Sequence, residues 1–122
     1  MAQRHPLPIR EFEAETPFWF QAFYISLSTR EVFSQKTGAI IKASGKSREY
    51  VCRLFKKATG ETLGDYLNSL RIQHACNLLK NTNADIIDVA LDAGFENLST
   101  FYHLFRSRVG TSPKQYRIDN KE

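Results

Sequence analysis

Several features that define common protein classes are missing from this sequence of 122 residues. Its apolar runs are far too short to cross a membrane, and residues 1–10 contain no apolar segment of the kind found in signal peptides. We therefore expect a cytoplasmic protein without membrane contacts. The sequence also has no carboxylate pair beside a nucleophile, no Ser/His/Asp set and no phosphate-binding glycine loop, so we expect neither an enzyme nor a bound cofactor.

Cysteine is scarce, since only Cys52 and Cys76 are present. They lie far apart in the sequence, and neither belongs to a Cys-x-x-Cys or His-x-x-Cys pattern. A structural zinc ion needs four closely arranged ligands, so we expect no metal site. The two residues are better interpreted as buried or half-buried thiols in a reducing compartment.

The charged residues are distributed in blocks, although the net charge is only +4. Residues 36–60 sum to +6, residues 61–96 to −4, and residues 97–118 to +4. Two basic blocks separated by an acidic one are typical of a protein that contacts a polyanion at two places. Two ordinary solvated faces would give the same pattern, so charge alone leaves both interpretations open.

The length fits one compact domain, which we place at residues 16–118. Residues 1–15, with two prolines and alternating glutamates, are predicted to form a linker or a disordered arm. Thr16-Pro17 then predicts a helix start, with Thr16 as the N-cap and Pro17 in the first helical position. The many aromatic side chains between positions 18 and 24 indicate a helix that packs on a core. An aromatic helix face of this kind can also bind a partner.

An internal repeat with an offset of 50 residues is the most informative pattern in the chain. Residues 47–60 align with residues 97–110, so that Phe55 matches Phe105 and Gly60 matches Gly110. The match continues to Tyr66 and Tyr116 and also extends backwards. Both segments begin with an N-capping residue and end at glycine, which is how helices commonly start and stop.

Each copy has the pattern of a helix, a tight turn and a second helix. In the second copy we predict helices at residues 85–92 and 98–107, separated by a turn at Gly94. Helical spacing directs three apolar residues of each second helix inward, namely Val51, Leu54 and Phe55 in the first copy and Phe101, Leu104 and Phe105 in the second. The outward positions are Glu49, Cys52, Arg53 and Lys56 in the first copy and Ser99, Tyr102, His103 and Arg106 in the second.

These elements define an all-α fold with two helix-turn-helix subdomains and about seven helices. The first unit is predicted at about residues 34–60, the second at about residues 83–110, and a terminal helix at about residues 112–118. A longer central helix at about residues 63–80 joins the units, with its buried stripe at Leu67, Leu70, Ala75, Leu78 and Leu79.

Residues 83–117 resemble the C-terminal signature of the AraC/XylS family of bacterial transcription regulators. The matching residues are Ile86, Val89, Ala90, Gly94, Phe95, Phe101, Phe105, Gly110, Ser112, Pro113, Tyr116 and Arg117. The central helix is similar to the linker helix of that family, and the resemblance extends over about residues 17–117. It implies a double-stranded DNA-binding domain of about seven helices, in which two recognition helices enter successive major grooves. It also implies transcription regulation by activation, with RNA polymerase as a partner.

The first copy departs from the family pattern at its turn. Isoleucines occupy the place of the usual alanine, and Ser44-Gly45 replaces the usual order, so we expect a distorted turn. More weakly, residues 19–50 are similar to the branch that regulates chitobiose or cellobiose utilisation. Regulators of this family usually carry a separate effector-binding or dimerisation domain. We expect that domain to be missing from this chain, which is either a fragment of a longer regulator or a small stand-alone member.

Position matching with the family also implies which residues contact DNA. The implied base-reading residues are Arg48, Glu49, Cys52 and Arg53 in the first recognition helix, and Leu98, Ser99, Tyr102 and His103 in the second. The implied phosphate contacts are Lys46, Lys56, Lys57, Thr62, Arg106, Ser112 and Lys114. Thr62 and Ser112 are included because a helix N-terminus offers free backbone N–H groups to phosphate.

Arg53 is the strongest candidate for base recognition, because a guanidinium can bond guanine O6 and N7 together. A contact to phosphate alone is the alternative. Glu49 can accept from cytosine N4 or hold Arg53 through an i, i+4 ion pair, and we favour the ion pair. His103 occupies the position that matches Arg53 and offers at most one good bond to a base. Arg71 is predicted to be structural and to pair with Asp88 or Asp92.

An alternative function is a helical protein-interaction module whose basic faces bind an acidic partner. The doubled helix-turn-helix pattern argues against it, and DNA binding in the presence of competitor DNA separates the two.

Overall fold

The computed structural model describes residues 12, 13 and 15–121, and this part of the chain contains eight helices and no strand. The predicted all-α class is confirmed. The helices are α1 (Phe18–Ser26), α2 (Arg30–Phe33), α3 (Thr37–Ala43), α4 (Arg48–Thr59), α5 (Leu63–Asn81), α6 (Ile86–Ala93), α7 (Leu98–Val109) and α8 (Pro113–Asn120). The helix beyond the expected seven is α2, a single turn too short to give an apolar period. Across the described residues, no helix combines the length and the apolar character that a membrane span requires.

The start of α1 differs from the prediction that Thr16 is its N-cap. Pro17 occupies the N-cap with an extended ψ of 145°, and the helix begins one residue later at Phe18. The backbone N–H of Thr16 donates to the carbonyl of Glu13 at 2.9 Å, which forms a turn before the helix. Most of the arm predicted at residues 1–15 lies outside the described residues. Phe12, which lies within it, packs on Phe20 with 5.1 Å between the ring centroids.

The chain divides into two compact units, residues 1–66 and residues 67–122. In the first unit, the aromatic residues of α1 form the core together with α4 and the start of α5. Phe20 and Phe55 are fully buried, with 5.9 Å between their ring centroids. Tyr66 lies 5.5 Å from Phe55 by the same measure. The aromatic pattern of α1 therefore reflects core packing at Phe20 and Tyr24, whereas Phe18 is 99% exposed.

The second unit has a core contributed by α5, α6 and α7. Its buried residues are Ile72, Ala75, Leu79, Val89, Ala90, Ala93, Phe95, Phe101 and Phe105, and Tyr116 of α8 packs against them. Arg117 of α8 and Lys121, the residue that follows α8, bind carbonyls at and just after the end of α5. Arg117 Nε donates to the Leu79 carbonyl at 3.0 Å, and Lys121 Nζ donates to the Thr82 carbonyl at 2.7 Å. Cations suit this position because the last carbonyls of a helix have no partner within it.

The two turns between paired helices have the same length but different backbone conformations. In the second unit, Gly94 adopts φ 105°, and the N–H of Phe95 donates to the Ala90 carbonyl at 2.9 Å. In the first unit, Ser44 remains right-handed with φ −73°, and the positive φ of 75° falls on Gly45. The expected distortion of the first turn is thus a shift of the left-handed residue by one position. Glycine is the residue for which this conformation costs least.

Candidate nucleic-acid interface

The second helix of each pair, α4 in the first unit and α7 in the second, is fixed by matching caps. Ser47 Oγ accepts from the Tyr50 N–H at 3.2 Å, and Asn97 Oδ1 accepts from the Thr100 N–H at 3.0 Å. Both helices end at a left-handed glycine, Gly60 or Gly110. These contacts confirm the start and stop signals that the repeat predicts.

Of the six predicted inward residues of α4 and α7, four are fully buried, namely Val51, Phe55, Phe101 and Phe105. Leu54 and Leu104 are half-buried. The outward faces carry most of the predicted base-reading residues. Those that are exposed are Arg48, Glu49, Arg53, Ser99, Tyr102 and His103. Each unit therefore presents one polar helix face whose opposite side anchors it in a core.

Two predicted base-reading residues are less accessible than the others. Cys52 is half-buried on α4. Leu98, the first residue of α7, is half-buried because it packs against the core of the second unit. Packing accounts for an apolar side chain at Leu98 without any DNA contact, so its role in base reading stays a prediction.

Two arginines of α4, Arg53 and Arg48, each lie close to another residue of the first unit. The Arg53 guanidinium carbon lies 5.8 Å from the centre of the Tyr50 ring. The favoured Glu49–Arg53 ion pair is absent from the contacts of the described residues, and Tyr50 supplies the support for Arg53 in its place. The Arg48 guanidinium extends back to α3, where it would lie 3.3 Å from a Cβ atom added at Gly38.

Lys46 and Lys56, two predicted phosphate contacts, also have partners. Lys46 Nζ lies 5.2 Å from the centre of the Trp19 ring. Lys56 Nζ donates to the Gly60 carbonyl at 3.2 Å and so binds the end of its own helix. Both side chains remain exposed, as does Lys57, so a phosphate can reach all three.

In the second unit, four exposed residues of α7 lie side by side. Tyr102, His103, Arg106 and Ser107 line an open depression of about 350 Å³. Arg106 is exposed there, as is Lys114 on α8. Base-reading and phosphate-binding candidates therefore adjoin each other on α7.

The helix starts at Thr62 and Ser112 are not equivalent as phosphate sites. Thr62 Oγ1 accepts from the Asp65 N–H at 3.0 Å, and the Asp65 carboxylate in this first turn repels an anion. Ser112 Oγ accepts from the Gln115 N–H at 3.1 Å, and the first turn of α8 has no acidic residue. The physical conditions for phosphate binding are better at Ser112 than at Thr62.

Arg71 is buried, with 8% of its surface exposed, which agrees with a structural role. Its Nη1 donates to Asn68 Oδ1 at 3.1 Å, and burial lowers the pKa of its guanidinium. Asp92, one of its predicted partners, has Oδ2 within 2.8 Å of His74 Nε2. The pairing of Arg71 with Asp88 or Asp92 stays a prediction.

The family model for the helix-turn-helix domain matches residues 40–118, which is more than half of the chain. Among characterised relatives, Regulatory protein SoxS of Escherichia coli K12 is 37% identical over 78 residues, covering 64% of this chain and 73% of the relative. The chain belongs to the AraC-type helix-turn-helix family. The predicted family is confirmed, and the chitobiose or cellobiose branch stays a prediction.

Another relative of this AraC-type chain is much longer than the matched region. The melibiose operon regulatory protein of Escherichia coli K12 is 41% identical over 68 residues, which cover 56% of this chain but 22% of the relative. Among solved structures, the DNA-binding domain of AdpA in complex with a target DNA has a TM-score of 0.67 at 25% identity. That match covers 74% of this chain and 83% of the other.

Proposed function

We propose that this chain binds double-stranded DNA sequence-specifically and thereby regulates transcription, acting as an activator. The observation that carries the proposal is the pair of matching helices, α4 and α7, each anchored by buried aromatic residues and each exposing polar and cationic side chains. The AraC-type relatives and the DNA complex of AdpA support it. Binding of DNA requires no catalytic group, and we propose no enzymatic activity.

In this proposal, α4 and α7 each enter a major groove. The N-terminal half of α4 brings Arg48, Glu49, Cys52 and Arg53 to the bases, and α7 brings Leu98, Ser99, Tyr102 and His103. The surrounding cations bind phosphates and set the register of the helices. Specificity comes chiefly from Arg53, whose planar guanidinium is suited to guanine.

The first test is the salt dependence of binding to duplex DNA. Since several lysines and arginines neutralise phosphates, the affinity should fall steeply as salt rises. Salt-independent binding, or no binding to any duplex, would contradict the proposal. If an acidic polypeptide displaced DNA completely and showed the higher affinity, the alternative of a protein-interaction module would be favoured.

The second test is the footprint of one molecule on DNA. We expect protection of two adjacent major grooves, with half-elements about 10 base pairs apart. The site should be asymmetric, because Arg53 in one copy corresponds to His103 in the other. A palindromic footprint that required two chains would contradict this arrangement.

The wider context of the regulator is also part of the proposal. We infer that it acts in the cytoplasm on RNA polymerase, and that an effector-binding or dimerisation domain accompanies this domain in the whole protein. The presence of that additional domain is supported by the melibiose operon regulatory protein, of which the matched region covers 22%. Transcription from one promoter, assayed with and without the effector-binding or dimerisation domain, would test it.

A further inference from the structure

Four side chains of the first unit form a row that begins and ends with a cation. Lys46 Nζ lies 5.2 Å from the centre of the Trp19 ring, and the centres of the Trp19 and Tyr50 rings are 6.0 Å apart. The Arg53 guanidinium carbon lies 5.8 Å from the centre of the Tyr50 ring. The two rings are half-buried, whereas both cations are exposed.

Both cation-to-ring distances lie within the range of a cation–π interaction. A cation within about 6 Å of an aromatic ring centre is attracted by the negative face of the ring. Trp19 is itself held by α1 neighbours, since the centres of the Phe20 and Phe23 rings each lie 5.8 Å from it. The row therefore links the two exposed cations to the aromatic core of the first unit.

Holding these cations in place matters because Lys and Arg side chains are flexible. Each has about 2 kcal/mol of rotamer entropy to lose when it is fixed by a ligand. Part of that cost is removed if the side chain is already restrained in the free protein. The gain is largest for Arg53, whose base contact would require one orientation of the guanidinium plane.

Among the residues of the second unit that the structure describes, no equivalent row is present. With the offset of 50 residues, Thr100 occupies the position of Tyr50, and His103 that of Arg53. Trp19 lies outside the region that the family model matches, residues 40–118. The row therefore depends on Trp19 of α1, which lies outside the repeat, and it has no counterpart in the second copy of the helix-turn-helix pattern.

We propose that Trp19 and Tyr50 are positioning residues that hold Lys46 and Arg53 for contact with DNA. The inference rests on the proposed function. Tyr50 acts on base recognition through Arg53, and Trp19 acts on phosphate binding through Lys46. Because the chain has one tryptophan, the fluorescence of Trp19 reports on this row directly.

The main experiment compares Tyr50→Leu, Tyr50→Phe and Arg53→Ala on a duplex that the protein has selected from a random library. We expect Tyr50→Leu to weaken binding about two- to fivefold, since an exposed cation–π contact is of that size. Tyr50→Phe keeps the ring and should keep the affinity. Phe18→Leu is the matched control on an aromatic residue that is 99% exposed.

A double-mutant cycle separates positioning from a general effect on folding. In the Arg53→Ala background, Tyr50→Leu should cause no further loss of affinity. An equal loss in both backgrounds, or no loss in either, would overturn the positioning role of Tyr50. If the unaltered protein bound no duplex at all, the proposed function itself would fail.

Trp19 is tested by its fluorescence in the unaltered protein and in two variants at exposed lysines, so that the ring itself is never replaced. Addition of the selected duplex should change the Trp19 emission, because a phosphate bound by Lys46 alters the charge beside the ring. The change should be smaller in Lys46→Gln, whereas Lys80→Gln, at an exposed site of the second unit that has no proposed DNA contact, should leave it intact. Identical changes in all three proteins would overturn the role of Trp19.

Discussion

The rings of Phe105 and Tyr116 meet edge to face, with 5.7 Å between their centroids. The positions that match them in the first unit, Phe55 and Tyr66, are 5.5 Å apart by the same measure. The repeat therefore preserves an aromatic contact between the second helix of each pair and the helix that follows it. In each unit, this contact packs the following helix against the core of the helix-turn-helix.

Removal of the Phe105 ring should strongly destabilise the second unit. Phe105 is fully buried, so Phe105→Ala leaves a cavity and should lower the free energy of unfolding by about 3–5 kcal/mol. Urea unfolding followed by circular dichroism measures the change. Phe18→Ala serves as the control and should stay within about 0.5 kcal/mol. A loss at Phe105 no larger than the control would contradict the assignment of the core.

The N-caps of α4 and α7 provide a second prediction. Ser47→Ala and Asn97→Ala each remove the acceptor for one backbone N–H and should each lower the stability by about 1 kcal/mol. Ser99→Ala, on the exposed face of α7, is the control and should have little effect. Thermal unfolding of the three variants gives the comparison, and equal midpoints for all would show that the caps contribute nothing.

Arg53 and His103 should differ in their effect on sequence preference. Arg53→Ala should cost about 1–3 kcal/mol of binding and relax the preference at one base position, whereas His103→Ala should cost less. Lys56→Ala should weaken binding to all sequences alike and reduce the salt slope by about one unit. The measurement is a titration of each variant against the selected site and its single-base variants at two salt concentrations.

Two outcomes of that titration would change the assignment. If Arg53→Ala lost affinity equally for every sequence, Arg53 would be a phosphate contact. If His103→Ala caused the more specific loss, α7 would be the main reader of sequence.

The second unit should lose stability at alkaline pH. Burial raises the pKa of the Cys76 thiol, and burial together with the neighbouring Cys76 raises the pKa of Tyr116. The folded state thus holds both protons more tightly than the unfolded state. The thiol's contribution to the free energy of unfolding is fully present below the ordinary thiol pKa of about 8.5. It is lost as the pH rises through the raised pKa of the folded state.

The measurement is urea unfolding from neutral pH to about pH 10. In Cys76→Ser, the hydroxyl does not ionise in this range, so the decline should be shallower than in the unaltered chain. A stability that rose with pH, or the same decline in both proteins, would argue against the buried thiol as a source.

The sequence by itself determined the repeated part of the fold. Apolar residues at i, i+3 and i+4 specify the inward faces of α4 and α7, and Ser47 and Asn97 specify where these helices begin. These signals are local, because each depends on residues within one or two turns of helix. For the same reason, the exposure of Arg53 and His103 followed from their spacing relative to Phe55 and Phe105.

Tertiary structure decided the contacts that join distant parts of the chain. Trp19 precedes Lys46 by 27 residues, and no periodic pattern relates the two. The partner of Arg53 also depends on packing, because Glu49 and Tyr50 both lie within reach on the helix and Tyr50 is the one held beside Trp19. The half-burial of Leu98 likewise depends on how α7 meets its core. Local spacing fixes which side of a helix faces outward, but only the packed neighbours fix what an outward side chain contacts.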